Sequence, residues 1–426
     1  MTIRTSILLL ILPAAAFAQA QTPAAQPAAP AQEPPRTWID PDTGHRIHRI
    51  TDEPNSTGFY FNINAYTPDG KTMVYSAPDG IHAVDLPTLK TRLVVPGSNL
   101  HAVVVGHKTN TVFFTKTDEH ALYSANLDTG DTKKLADLPP RASVSTVNAD
   151  ETLAAGTFIE GEGGQDYGAQ RVNPQGMSGP LVQPLNKGQM MAQRLAAKLP
   201  MTLFTLNLQT GKETPLLQHN TNWLNHLLFS PADPTLLMYC HEGAWQEVDR
   251  IWNIQTDGTH NELIHKRTMV MEIAGHEFWG LDGKTIWYDL QTPKGEDFWL
   301  ASYNLETKER RWFHMQRNEW SIHFNVTADE SLMCGDGGDP GQVAHAPDGE
   351  WIELFHPTMT PSRGAINQPD FIQPGVLHSE HLVNMSKHNY KLEPNVRFSP
   401  DKKMVFFTSN MFGPSYVFGV EVAKAQ

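Results

Sequence analysis

The sequence predicts an all-β fold, a seven-bladed β-propeller, and three observations predict it. A turn resembling S/T-P-D-G, followed by a short β-rich strand, recurs seven times. Uninterrupted copies lie about 40 to 50 residues apart, the length of one four-stranded blade. A second turn signature falls between several of the copies, where the outer hairpin of a blade belongs.

Along the chain, Arg4, an apolar run from Ile7 to Pro13 and the small-x-small patterns around Ala16–Ala20 read as a secretory signal over residues 1–20. The run is too short to span a bilayer, and no later stretch approaches the roughly 20 apolar residues of a membrane helix. The expectation is a soluble protein, periplasmic or secreted, with no membrane insertion. Residues 21–36 are rich in Ala, Pro and Gln and predict a flexible tether before a single catalytic domain over 37–426. Cys240 and Cys334 both sit in apolar strand-like settings and read as buried thiols. A formal net charge of -13 argues against nucleic-acid binding.

The repeat turns are "YTPDGKTMVYS" from Tyr66, "VGHKTNTVFFT" from Val105, "VNADETLAAGT" from Val147 and "FSPADPTLLMYC" from Phe229, then "WGLDGKTIWYD" from Trp279, "VTADESLMCGD" from Val326 and "FSPDKKMVFFTS" from Phe398. "VDLPTLKTRLV", "ANLDTGDTKKL", "LNLQTGKETPLL" and "YNLETKERRWF" supply the outer hairpins. Two intervals are long. Between Gly156 and Pro200, a Gly-rich loop precedes "KGQMMAQRLAAKL", which predicts an inserted helix. Between Glu353 and Pro394 the sequence reads as an irregular, Pro-containing rim. "HRIHRIT" predicts an N-terminal strand that completes the last blade and closes the ring.

Counting back five residues from the Pro position of each turn gives one register that should face the propeller axis. It holds His226, His276, His323 and Asn395 in the last four copies, against the apolar Ile63 and Val144 in the first and third. A one-sided polar cluster of this kind predicts a binding site. Glu393 lies two residues before Asn395, on the same face if the segment is a strand. Together His323, Glu393 and Asn395, with His388 or His226 nearby, offer nitrogen and oxygen ligands that suit Mn²⁺, Ca²⁺ or another divalent ion better than a closed zinc site. Arg250 follows Asp249 in an apolar strand, as a structural ion pair or as a pocket-facing cation. Asp336 and Asp339 in "CGDGGDP" read first as a tight turn. Trp245, Trp252 and Trp279 read first as blade core. "HEGAW" and "HEFWG" lack the second histidine of a zinc-protease helix.

"WLNHLLFSPADPTLLMYCHEGAWQEVDRIWNI", "GHEFWGLDGKTIWYD" and "HFNVTADESLMCGDGGD", covering Trp223 to Asp339, resemble the oligogalacturonate lyases, seven-bladed propeller enzymes that cleave short pectic uronides by β-elimination. The resemblance implies that His276 is the base that removes the C5 proton, that Arg250 assists it, and that His323 ligates a divalent metal, Mn²⁺ first and Ca²⁺ as the alternative. His226, His241 and Tyr390 become candidate substrate contacts, and His323, Glu393, Asn395 and His388 the candidate metal ligands. Where these lyases carry Q-x-x-H-x-H before the last turn, this chain has "YKLEPN". That replacement shifts the expected ion towards oxygen-preferring metals. The implied partner is an acidic oligosaccharide, either oligogalacturonate or a related uronide. The competing expectation is a non-catalytic propeller that binds carbohydrate or protein. A hydrolase is disfavoured because no pair of carboxylates occupies matched registers.

Overall fold

The computed structural model describes residues 33–160, 187–219, 221–339, 341–362 and 371–425. The expected signal segment and the Gly-rich part of the first long interval lie outside these residues. Pro34–Gln426 forms one compact unit.

Among the described residues of that unit, the strands fall into six sheets, one of them eight-stranded and built of two antiparallel groups; the resulting groups are called blades one to seven in chain order. Blade one holds Thr72–Ala77, Gly80–Asp85 and Lys90–Pro96, with Tyr66 bridged to Met73 on its inner side. Blades two to five are four-stranded meanders that begin with Leu100–Val105, Ala142–Val147, Trp223–Phe229 and Ile273–Trp279. Blade six opens with Phe324–Val326. Blade seven opens with Arg397–Phe398 and continues through Met404–Ser409 and Tyr416–Lys424. The N-terminal strand His45–Arg49 then pairs with Tyr416–Lys424, and Thr37–Ile39 adds outside it, as the sequence predicts. Blade seven also meets blade one: the Tyr66 hydroxyl donates to the Phe398 carbonyl (2.8 Å), and Arg397 Nη1 donates to that of Ile63 (2.9 Å).

The repeated turns share one chemistry. Thr67, Thr327 and Ser399 each donate a hydroxyl to the Asp two residues on, at 2.8, 2.9 and 2.7 Å. In the outer hairpins, Asn126, Asn207 and Asn304 each accept two backbone N–H groups with their side-chain oxygen. These local bonds compete with continued extension, so the same short motif stops each strand at an equivalent place. The core lies between neighbouring sheets. Tyr75, Phe114 and Phe406 pack together where blades one, two and seven meet, and Trp287, Phe298, Phe324 and Phe355 join blades five and six.

The inserted helix is present as Lys187–Ala197, between the second and third strands of blade three. The second long interval differs from expectation. Among its described residues it forms two strands, Trp351–Met359 and Ile372–Asn384, paired antiparallel, and the part from Met385 to Pro394 is irregular. Ile372–Asn384 also lies parallel to Arg310–Met315, which fuses blades five and six into one eight-stranded sheet. Gly375 permits the junction: a Cβ there would stand 2.6 Å from the Phe313 ring and 2.9 Å from the Thr358 carbonyl. Pro357 and Pro374 suggested irregularity, yet neighbouring strands accommodate both. Cys240 and Cys334 are buried and free.

Candidate active site

The register histidines sit on the inner strands, where the ladders are interrupted. Pairing slips between Asn225 and Leu228 and between Gly275 and Phe278, so two residues of each inner strand oppose one partner. His226 and His276 occupy these bulges with left-handed backbones, at φ 48° and 46°. A bulge re-aims the side chain it carries. It turns His276 towards His323, and the two rings meet edge to face at 5.0 Å.

His276 Nδ1 lies 2.9 Å from Asp289 Oδ1, across the ladder from Gly275. Asp289 is buried, and burial pushes its carboxyl up to about 7. Once Asp289 is ionised, Nδ1–H is donated to its carboxylate and Nε2 is left as the acceptor nitrogen of the ring. Gly275 lets the other partners approach: a Cβ there would stand 3.2 Å from both Asp289 Oδ1 and the Trp245 ring. Trp245 meets His276 edge to face at 4.8 Å and lies under the Arg250 guanidinium at 5.0 Å. Trp245 is therefore a wall of the site, in contrast to Trp279, whose Nε1 donates to the Leu228 carbonyl inside the blade core.

Arg250 is buried and pairs through Nε with Glu277 Oε2 at 3.0 Å. Asp249, its sequence neighbour, pairs instead with Arg267 at 3.1 Å. The structural ion pair is thus made with Glu277 and not with Asp249, and the buried Nη1 of Arg250 has no hydrogen-bond partner among the described residues. Burial works against the Glu277 charge, but Arg250 and His226 outweigh it and hold the carboxyl below its usual range.

His323 is oriented from behind by Asp336, which the sequence alone places in a turn. The Asp336 carboxylate accepts His323 Nδ1–H at 2.6 Å and the His323 backbone N–H at 3.0 Å. His323 Nε2 faces the Tyr60 hydroxyl at 3.3 Å and Glu393 Oε2 at 3.9 Å. An imidazole held through its far nitrogen by a carboxylate is the usual arrangement of a metal-ligating histidine. Glu393 adds an oxygen donor, so this pair fits a divalent ion whose other ligands are water or substrate.

The rest of the expected ligand set does not converge. Among the described residues, no three His, Cys, Asp or Glu side chains form a metal-binding group. Asn395 is itself left-handed (φ 56°), and the strand begins only at Arg397, so the two-residue alternation with Glu393 fails. Its side-chain oxygen accepts Phe61 N–H at 3.1 Å, and its amide donates to the Glu393 carbonyl at 2.9 Å. His388 uses both ring nitrogens, on Ser409 Oγ and the Leu392 carbonyl. Of the candidate substrate contacts, Tyr390 is buried and donates to the Asp336 carbonyl at 3.2 Å, a supporting role. His241 packs on Trp252 at 4.8 Å. Only His226 lines the open cavity.

The segment Thr57–Ile63 is a site element of which the sequence patterns marked only Ile63. Phe61 stacks on His323 at 4.7 Å, Asn62 donates to the Glu277 carbonyl at 3.1 Å, and Arg397 donates to the carbonyls of Tyr60 and Ile63. Ile63 packs against the cores of blades on several sides. The segment therefore crosses the inner strands and carries Tyr60 between His226 and His323, with ring centroids 6.2 and 5.2 Å away. The dense "GFYFNI" run was the available signal. For Asp289 and Glu277 it was a lone carboxylate inside an otherwise apolar strand.

Comparison with known proteins agrees with the fold. The solved structure of an oligogalacturonate lyase in complex with manganese superimposes with a TM-score of 0.71 at 23% identity, covering 91% of this chain and 96% of that one. An oligogalacturonate lyase from Vibrio parahaemolyticus gives the same TM-score at 21% identity and the same coverage. At these identities the likeness establishes the fold. An oligogalacturonide lyase of Pectobacterium atrosepticum is 29% identical over 222 residues, which are 50% of this chain and 53% of that protein. An oligogalacturonate lyase of Dickeya dadantii is 27% identical over the same shares, so the chain spans about half the length of the curated relatives it matches. The family model for oligogalacturonate lyase, by contrast, matches residues 34–425, which takes in every blade and every residue of the site, and the chain belongs to that family.

Proposed function

We propose that this protein is a lyase that cleaves oligogalacturonate, or a closely related uronide, by β-elimination. The observation that carries the reading is the His276–Asp289 pair, set beside a buried arginine and a carboxylate-oriented histidine. Asp289 holds the His276 Nδ1–H, so Nε2 is presented as general base for the C5 proton of a bound uronate. Glu277 fixes the Arg250 guanidinium, and Nη1 remains a donor for the charge that develops on the substrate carboxylate. As the C5 proton moves to Nε2, the C4–O bond breaks, the C4–C5 double bond forms, the departing oxygen takes up a proton from water, and Nε2 then returns its proton to solvent.

His323 and Glu393 would hold a divalent ion, oriented by Asp336. Such an ion, when bound, neutralises the carboxylate and makes the C5 proton more acidic. Manganese is the first expectation, since a solved relative carries it. Calcium is the alternative, suited by the oxygen of Glu393. The signal-like residues 1–20 support export to the periplasm or beyond.

The test is the ultraviolet absorbance of the unsaturated uronate formed from digalacturonate and trigalacturonate, with Mn²⁺, with Ca²⁺ and with chelator. A metal-dependent rise is expected. No rise with any uronide, from a folded protein, would leave a non-catalytic carbohydrate-binding propeller.

A further inference from the structure

The reaction centre draws on blades four to seven, and beside it, over blades one to four, lies a cavity of about 770 Å³. Its walls are the start of the inner strands of blades two and three, Ser76 of blade one, and the Thr57–Ile63 segment. Among the described residues that line it, His276, Arg250 and His323 are absent, but their neighbours are present. Tyr60 faces His323 Nε2 at 3.3 Å, and Asn62 donates to the carbonyl of Glu277, the partner of Arg250, at 3.1 Å. The cavity therefore begins where the reaction centre ends, and a chain with one sugar at His276 has a path into it.

Size and charge decide what fits. The volume lies within the range of about 300 to 1,000 Å³ that encloses a drug-sized ligand, which is closer to two linked sugars than to one. Lys116, His101, His120 and His226 line the cavity, and no Asp or Glu is among the described residues that do so. In a chain of formal net charge -13, such a lining is a local exception, and an acidic sugar meets least repulsion there. Lys116 pairs with Glu119 at 2.9 Å, the two side chains being 29% and 44% exposed. An exposed pair of this kind is weak, so a substrate carboxylate can take the place of Glu119. Asn62 Oδ1, buried with no hydrogen-bond partner among the described residues, offers an acceptor for a sugar hydroxyl. Lys116 ends the second strand of blade two, Thr111–Lys116, two blades away from His226. A disaccharide with one uronate at His276 fills the near part of the cavity and leaves Lys116 to a longer chain.

We propose that this cavity takes two further uronates of the substrate, the outer one paired through its carboxylate with Lys116, so that trigalacturonate is preferred to digalacturonate. The inference rests on the lyase reading and specifies the length of chain that the same site takes.

Turnover of the two oligomers, followed by the unsaturated-uronate absorbance, tests it first. The kcat/KM of trigalacturonate is expected to be higher by about tenfold, because the added sugar contributes binding remote from the reacting atoms. An equal or lower value overturns the subsite and leaves the lyase reading standing. Lys116→Met should lower the trimer-to-dimer ratio by about fivefold or more. Ser143→Trp, which places a ring in the cavity from an exposed position on its wall, should lower the ratio to a similar extent. An unchanged ratio in either variant, folded by its melting curve, also overturns the proposal. Calorimetry on the His276→Ala protein reads the cavity without turnover, and trigalacturonate is expected to bind about tenfold more tightly than digalacturonate. Equal affinities, or binding of neither oligomer, overturn the subsite whether or not the parent protein forms a chromophore from any uronide.

Discussion

His276 depends on its neighbours for its orientation, and two substitutions separate its own chemistry from theirs. His276→Ala should reduce kcat by about 10²- to 10⁴-fold while the thermal melt stays close to that of the parent. Normal turnover in that folded variant would remove His276 from the mechanism. Asp289→Asn preserves the shape of the site but allows the wrong imidazole tautomer, so kcat should fall by about 10²-fold or more with little change in KM. Arg250 has a structural role as well. Because Arg250 and Glu277 are both buried, Arg250→Ala should destabilise the fold by about 3 to 5 kcal/mol, since it strands the Glu277 charge. Adding Glu277→Gln should restore much of the melting temperature but none of the activity. Recovery of both in the double variant would assign Arg250 to stability alone.

At the scale of elements, bulges and one buttressed loop hold the site together. The loop before the His276 strand is anchored by Glu272, which accepts His265 Nε2–H at 2.6 Å and the backbone N–H groups of Thr268 and Met269. Arg267 in the same loop bonds Asp249 and the Gln246 carbonyl, next to Trp245. Burial acts to raise the Glu272 carboxyl, but these donors prevail and lower it from 4.5 to about 2. A folded-state pKa below the unfolded value means that the folded form binds fewer protons between the two. The stabilisation is therefore complete above about pH 5 and is lost as the pH falls through 4.5 towards 2. Glu272→Gln should cost about 2 to 3 kcal/mol at neutral pH, and the difference from the parent should vanish near the acid end of the window. Denaturant midpoints measured across that pH range check this; a constant difference would show that the carboxylate charge is not what anchors the loop.

For the whole molecule, the last blade depends on both ends of the chain. Removal of residues 34–49 deletes Thr37–Ile39 and His45–Arg49 and bares the edge of Tyr416–Lys424. The truncated protein should melt lower and aggregate, because an open edge templates intermolecular pairing. Scattering and melting curves of the truncated and parent proteins decide the matter, and identical behaviour would mean that the N-terminal strands are ornaments on an already closed fold.

Much of this architecture was legible because a repeat states the same local physics seven times. The Thr-Asp and Ser-Asp turns and the Asn-headed hairpins form through bonds spanning a few residues, so the sequence determined the blade rhythm, the inserted helix, the N-terminal strand and the register that collects His226, His276 and His323. Local rules could not say what meets across a ladder or across the axis. Asp289 reaches His276 from the next strand, Asp336 reaches His323 across a hairpin, and the Thr57–Ile63 segment threads between blades far apart in the chain. Tertiary structure alone removed Asn395 and His388 from the ligand set, because backbone groups of Phe61 and Glu393 hold the Asn395 amide in a left-handed turn, and Ser409 Oγ and the Leu392 carbonyl hold both ring nitrogens of His388. It also joined blades five and six, since a parallel pairing is long-range and its enabling residue, Gly375, leaves no local hydrophobic pattern to read.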